Sequence, residues 1–395
     1  MDKTAAAALD FDGLRPFSPF ISDVHRAWRQ KLRQFVDAEI APDIDEWNAT
    51  GSCPDELYGK AAASGLLGMG FPAAIGGTPG TDDLYHRIIF AEELHRLGSG
   101  VVFADLATLW IALPPVVDYG SDELIDEVVK PILRGEKKIA FAVTEPSGGS
   151  DVAALQTLAD RHGEQFVVTG SKTLISGLLR ADYVLTAVRT GGPGIRGISL
   201  LLIDRDSEGI QSKPVRGLSW YNANIGTIEF SKVNVPANHL IGPENGGFKA
   251  LTRQFNIERF SGVAATLAMS RVCLADAIVF ARERKTFGER LIDRQVIRHK
   301  LVEMIRQVQA AYAYLDQCVW RFENEQAGIA DLGMLKIHAT TTLERCARDS
   351  LHILGGTAYA GTARAERIFR ESRIFSIGGG TEEVLRDLAG RQLGF

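Results

Sequence analysis

An α-β-α chain of three parts is predicted by two shifts of residue pattern and one absence. Residues 1–137 carry apolar side chains at helical spacing. Residues 138–245 turn to short β-branched and aromatic runs separated by Gly, Asp and Pro. Residues 246–395 return to long helical periods. No repeat, linker or low-complexity tract interrupts the chain. The predicted fold is therefore an N-terminal α-helical domain (1–137), a middle β-barrel or sandwich domain (138–245) and a C-terminal four-helix bundle (246–395).

Ile21–Ile40 has apolar residues at mixed three- and four-residue spacing and is ended by Pro42, so it predicts a helix. A second helix near Asp55–Ser64 follows Cys53-Pro54, with proline at a natural helix start. Phe71–Gly80 is a loop by its Gly and Pro content. Leu84–Leu97 and Ser121–Leu133 are helical by period. Strands are predicted at Ile139–Val143, Phe166–Thr169, Tyr183–Val188, Ile198–Ile203 and Thr227–Phe230. Four long helices follow at Phe248–Lys285, Asp293–Glu325, Ile329–Leu354 and Glu382–Leu393, and Gly262, Ala264, Ala265 and Ala268 suit close helix approach.

The 395 residues include 45% apolar and 24% charged types, which excludes a mostly disordered or fibrous chain. A net charge of −5 without any Lys/Arg block gives no electrostatic case for nucleic acid. The four cysteines (Cys53, Cys273, Cys318, Cys346) lie far apart, which argues against zinc ribbons and disulfide scaffolds and fits a reducing compartment. Met1–Asp10 has too short an apolar run for a signal peptide and lacks the arginines of a transit peptide. Asp105 interrupts the best membrane-span candidate, and no uncharged apolar run reaches about 18 residues. The expectation is a soluble, cytoplasmic protein without membrane association.

Some motifs are discarded. Gly192-Pro-Gly-Ile-Arg-Gly197 matches G-x-G-x-x-G, but a strand, not a helix, follows it, so a hairpin turn is the better reading. The eight histidines make no H-x-x-x-H pair and no cluster with cysteine, so no metal is expected. No G-x-S-x-G elbow and no Walker loop is found.

Three segments carry chemistry. In Phe141-Ala-Val-Thr-Glu-Pro-Ser-Gly-Gly-Ser150-Asp151 a strand opens into a Gly-rich turn. It reads either as a plain surface turn or as a loop whose N–H groups and Thr144 and Ser150 hydroxyls approach a planar or phosphorylated ligand. Arg284-Lys-Thr-Phe-Gly288 reads as a basic helix end with a glycine stop, which leaves Thr286, Phe287 and the later Gln295 unexplained. Leu351-His-Ile-Leu-Gly-Gly356 is followed by Ile377-Gly-Gly-Gly-Thr-Glu-Glu-Val384, where the glycines serve either as caps or as a site of close ligand approach.

Together these segments resemble the acyl-CoA dehydrogenase flavoprotein family. The signatures are T-E-P-x-x-G-S-D at Thr144–Asp151 and R-K-T-F-G at Arg284–Gly288, supported by Val235–Gly242 and Gly246-Gly-Phe248. The resemblance runs from Ala91-Glu-Glu-Leu to Arg391 and implies FAD as cofactor. It places Phe141, Val143, Thr144, Gly149 and Ser150 along the flavin, with Ser150 also near substrate. Leu174 and Ser176 fall beside the ring, where Leu174 stands in place of a usual aromatic. Arg284, Thr286, Phe287 and Gln295 match residues that reach a neighbouring subunit's flavin, implying a homodimer or homotetramer. His352, Gly355 and Gly356 match a Q-x-x-G-G segment, with His352 replacing the usual Gln. Thr381 and Glu383 match the stretch near the adenosine diphosphate.

The family reaction gives a 2,3-enoyl thioester: a carboxylate takes the α-proton and the β-hydrogen leaves as hydride to flavin N5. In most members that carboxylate is the Glu of E-G-T, whereas this chain reads Gly379-Gly380-Thr381. The N–H of Gly379 still serves the thioester oxygen. Asn256-Ile-Glu-Arg259 matches the helix on which the isovaleryl-CoA dehydrogenase branch carries its Glu, so Glu258 is the expected base, with Asn256, Arg259 and Gly380 near substrate. The competing reading makes Glu258 a plain helix charge, not paired with its neighbour Arg259 because adjacent helix residues do not face each other. The missing side chain at position 379 predicts a branched or bulky acyl group; the resemblance implies a thioester on CoA or a carrier protein and an electron-transfer flavoprotein as acceptor. The alternatives are other flavin chemistry (desulfinase, nitroalkane oxidase, monooxygenase) and a redox-silent acyl-thioester binding subunit.

Overall fold

A computed structural model describes residues 9–51, 53–219, 224–361 and 363–395. Most of the opening segment read above for targeting signals therefore lies outside the described residues. The helices are α1 Asp23–Glu39, α2 Ile44–Thr50, α3 Glu56–Ala63, α4 Leu84–His95, α5 Val101–Leu106, α6 Leu109–Tyr119, α7 Asp122–Leu124 and α8 Lys130–Leu133. After the strands come α9 Gly247–Glu283, α10 Gln295–Glu323, α11 Ile329–Leu354, α12 Gly356–Tyr359, α13 Arg364–Ile377 and α14 Glu382–Leu393. The strands are β1 Ile139–Ala142, β2 Leu158–His162, β3 Gln165–Ile175, β4 Tyr183–Arg189, β5 Ile198–Asp204, β6 Ile210–Pro214, β7 Gly226–Pro236 and β8 Leu240–Ile241, with a small hairpin of β9 Lys285–Thr286 and β10 Glu289–Arg290.

The chain divides into two compact units. One comprises Asp45–Asp83 and Val101–Ile257, the other Met1–Ile44, Leu84–Gly100 and Glu258–Phe395. In the first, eight strands form one mixed sheet in the order β6-β7-β3-β2-β4-β5-β8, with β1 parallel to β4. Its core is the inward set Phe166, Val168, Val184, Val188, Leu201 and Ile203, all at 0% exposure. The G-x-G-x-x-G match is indeed a turn: it joins antiparallel β4 and β5, with Arg189 paired to Ile198. In the second unit, α11 packs against α10, α13 and α14, and α1 packs on α4.

Several elements depart from expectation, each for a local reason. The helix predicted at Ser121–Leu133 is broken by a π-turn at Ile125–Val129. Pro131 lacks an N–H and its ring crowds the preceding turn, which disfavours a straight α-ladder there. Arg284-Lys-Thr-Phe-Gly288 leaves the helix and folds into the β9-β10 hairpin. Ala264, Ala265 and Ala268 are fully buried. A side chain at Gly262, by contrast, would meet nothing within 4 Å, so close approach does not require that glycine. The Val101–Tyr119 stretch and α9 are long and apolar enough to cross a bilayer, but 72% and 83% of these windows are buried inside the protein.

Candidate active site

In the sheet unit, β1 delivers Phe141 and Val143 and then turns sharply. Glu145 N–H donates to Gly148 C=O at 3.1 Å and Gly148 N–H returns to Glu145 C=O at 3.0 Å. Pro146 pre-sets the backbone of this turn. Thr173 N–H donates to the Thr144 carbonyl at 2.9 Å, which ties the loop to β3. Thr144 is half-buried, and neither its N–H nor its hydroxyl is engaged by a described residue. Gly149 lies where a Cβ would press on Thr144 Cγ2 at 3.3 Å, while Gly148 is open. Ser150 is exposed and Ser176 half-buried.

Leu174 has φ +57, in the left-handed region that leucine rarely adopts, and is 59% exposed. A register shift against β7 between Lys172 and Ile175 accompanies it. A strand that turns a leucine outward at the cost of backbone strain marks a candidate ligand face. Free donors at Thr144 beside this apolar side of the strand suit a flat ring edged with acceptors.

Two residues that sequence reasoning missed hold this loop. Glu145 accepts from Gln156 N–H (2.6 Å), Thr157 N–H (2.8 Å), Thr157 Oγ1 (2.6 Å) and Lys172 Nζ (2.8 Å). Lys172 also donates to the Val143 carbonyl at 3.1 Å. Burial works to raise the Glu145 pKa, but the Lys172 ammonium and these hydrogen bonds outweigh it and hold it at about 2. Burial lowers Lys172 to about 8, against the opposing pull of Glu145. A signal was available in the sequence. Counting by twos from Phe166 and Val168 places Lys172 on the inward side of β3, where a charge needs a partner.

In the helical unit, α13 ends at Ile377, and Gly379 and Gly380 follow at φ +69 and +101, which only glycine adopts without strain. Arg259 Nε donates to the Gly379 carbonyl at 3.1 Å, and Lys336 Nζ donates to the carbonyls of Gly380 (2.7 Å) and Ser376 (3.2 Å). The Thr381 hydroxyl accepts from Val384 N–H at 3.3 Å and so caps α14. With its carbonyl held by Arg259, Gly379 keeps an N–H that no described residue engages. A Cβ at Gly379 would meet nothing within 4 Å, so the position is open space.

Glu258 is partly buried, and its carboxylate takes no hydrogen bond and no ion pair from any described residue. Burial raises its pKa, opposed by the charges of Arg259 and Lys336. Adjacent Arg259 turns to the glycine turn instead of pairing with it, as helix geometry requires. The Glu382 carboxylate, by contrast, is committed: it accepts from Thr340 Oγ1 at 3.0 Å and from Arg386 at 2.9 Å. Burial holds Lys336 at about 8, opposed by Glu382.

Most of the remaining predicted residues lie on the surface of this unit, and Asn256 belongs to the sheet unit. Phe287 is 97% exposed at φ +52 on the hairpin tip, with Arg284 and Gln295 also exposed. Thr286 is half-buried and its carbonyl accepts from Arg294 at 2.5 Å. His352 is exposed on the last turn of α11, ahead of exposed Gly355 and Gly356, and Glu383 is exposed on α14. Asn256 sits half-buried on α9. The structure thus groups Arg259, Lys336, Gly379, Gly380 and Thr381 around one turn, with Glu258 feeling the charges of Arg259 and Lys336, and ties the β1 loop to the end of β3, where Leu174 and then Ser176 follow.

Three family models match in order: acyl-CoA dehydrogenase N-terminal domain over 22–136, middle domain over 140–233 and C-terminal domain over 245–394. The chain belongs to the acyl-CoA dehydrogenase family. It is 35% identical over 399 residues to the acyl-CoA dehydrogenase AFT10-1 of Alternaria alternata, covering 95% of this chain and 92% of that one. A solved structure of a probable acyl CoA dehydrogenase from Mycobacterium abscessus superposes with TM-score 0.91 at 40% identity, covering 94% and 99% of the two chains. The caffeyl-CoA reductase-Etf complex subunit CarC of Acetobacterium woodii is 30% identical over 374 residues, covering 92% and 97%. Acyl-CoA dehydrogenases are FAD-dependent oxidoreductases, and the Thr144 donors with the apolar side of Leu174 fit that cofactor's ring.

Proposed function

We propose that this acyl-CoA dehydrogenase forms a 2,3-enoyl thioester, with Glu258 taking the α-proton. FAD, when bound, supplies the acceptor for the β-hydride at N5. Glu258 carries the reading: it is partly buried, no described residue donates to it, and burial raises its pKa. Such a carboxylate is a stronger base than one in water and is not tied up in structure. The unengaged N–H of Gly379 donates to the thioester oxygen as enolate charge develops there. Arg259 and Lys336 fix the turn that aims it. This placement of the base follows the isovaleryl-CoA dehydrogenase branch.

The open space at Gly379 supports a branched or bulky acyl group, and the caffeyl name of one relative points the same way. The Etf in that name supports an electron-transfer flavoprotein as acceptor. Exposed Phe287 supports a homo-oligomer, a dimer or tetramer, in which the hairpin meets a second copy. The four free cysteines support a cytoplasmic setting.

Anaerobic addition of straight, branched, cyclic and aryl acyl thioesters tests this reading. Flavin bleaching with enoyl product is expected, fastest on a bulky chain. Best turnover on short straight chains overturns the bulky-acyl proposal. Sulfite release or oxygen consumption without enoyl product overturns the dehydrogenase reaction, as does binding without bleaching across the panel.

A further inference from the structure

The buried pair Glu145–Lys172 has a role beyond stability. Lys172 is fully buried and Glu145 is 5% exposed. Taking two charges out of water costs more than a well-packed apolar pair of the same volume would, so such pairs are weak stabilisers but strict positioners. This one is saturated. The four donors named above reach Glu145 from Gln156, Thr157 and Lys172, and Ser147 Oγ adds a fifth at 3.3 Å. Each fixes the carboxylate in direction as well as in place.

What the pair joins is the decisive point. Glu145 follows Thr144 directly, and Lys172 stands two residues before Leu174. Lys172 Nζ takes the Val143 carbonyl, and the next residue on β3, Thr173, takes the Thr144 carbonyl. The acceptors of the loop are consumed from the β3 side, so Thr144 is left with its N–H and hydroxyl unspent. On β3 the same anchor sits at the start of the register shift that sends Leu174 outward. Thr173 Oγ1 is itself fixed against Thr227 Oγ1 at 2.8 Å.

We propose that Glu145 and Lys172 are positioning residues that lock the β1 loop to β3, so that the Thr144 donors and the Leu174 side chain face the flavin ring in one fixed relation. The proposal rests on FAD as the cofactor and adds which residues set the geometry of its ring contact. Neither residue touches the ring in this account; both act through Thr144 and Leu174.

The test uses the full chain as purified with FAD, in wild type, E145Q, K172M and the double variant E145Q/K172M. The double variant leaves no unpaired buried charge, which removes the main reason for the single variants to misfold. FAD dissociation constant, flavin absorption spectrum and midpoint potential are measured, together with the melting temperature after FAD is stripped. The double variant is expected to bind FAD about tenfold more weakly, the scale on which supporting residues around a cofactor act. It is also expected to show a shifted flavin spectrum and potential, while its stripped form melts as wild type does. FAD binding and spectrum equal to wild type overturn the proposal. So does a loss of affinity matched by an equal loss of stability in the stripped form. Failure of wild type itself to bind FAD overturns the underlying cofactor reading instead.

Discussion

Two carboxylates, Glu145 in the sheet unit and Glu258 in the helical unit, are both withdrawn from water and end in opposite chemical states. Glu145 is surrounded by donors and is driven down to about 2, so it is a fixed anion. Glu258 has no donor among the described residues and is driven up by burial, so it holds a proton more readily than an ordinary glutamate. Burial alone raises a carboxyl pKa in both places; hydrogen bonds and a facing ammonium reverse the sign in one. A saturated carboxylate makes a clamp, and a bare one is what the proposed base requires.

The turns that serve the two acids differ in the same sense. The Glu145 turn is built with Pro146, and neither Gly148 nor Gly149 has positive φ. The turn facing the Glu258 segment needs Gly379 and Gly380 at positive φ, with their carbonyls held by Arg259 and Lys336. Both turns are braced by cationic side chains from elsewhere in the chain, Lys172 in the first case and Arg259 with Lys336 in the second, but only the second turn depends on glycine at positive φ.

The strongest way to break this comparison is E258Q. Its anaerobic flavin-reduction rate should fall roughly 10³-fold, within the range general-base catalysis supplies, while FAD and thioester binding persist. Near-normal reduction would mean that another group takes the proton. Next comes acid unfolding of E145Q. A depressed carboxylate stabilises the fold fully above its ordinary value of 4.5, and that contribution is lost as pH falls toward about 2. Denaturant titrations between those limits should show wild type losing stability along a pH slope that E145Q lacks. An identical pH slope in the two proteins would remove Glu145 from the ledger of depressed acids.

G379A probes the strained turn. With open space around the Cβ, its cost should come from the backbone alone, about 1 kcal/mol by thermal unfolding. A much larger loss would mean that the space is needed for packing. The smallest effect is expected from K336M. The Lys336 ammonium holds the Glu258 pKa down, so its removal should move the acid limb of the kcat/KM profile to higher pH. A limb that moves down, or not at all, would uncouple the two groups.

Much of the helical unit was legible because its periods are long. Ile329–Leu354 and Glu382–Leu393 were read to the residue. Helix α13 was not read, because its buried face includes Glu371 and Ser372 as well as Ala365, Ile368 and Phe375. Glu371 is buried there because it accepts the N–H of Gly100 at 2.9 Å, a partner far off in sequence. Strands β2 and β6 were also missed. Leu158–His162 has one buried residue and Ile210–Pro214 has none, so neither shows an alternation to read. At the site, the glycine replacement at 379 could be read from spelling alone. The clamp at Glu145 could not, because its donors come from Gln156, Thr157 and Lys172 on other parts of the chain.

The sequence by itself determined the order α, β, α, most of the long helices and the absence of an acid at position 379, since these depend on local period and on motifs written in consecutive residues. Only the tertiary structure decided which buried charges would be satisfied. Whether a carboxylate becomes anion or base depends on donors brought from distant strands and helices, and distance along the chain carries no information about that meeting.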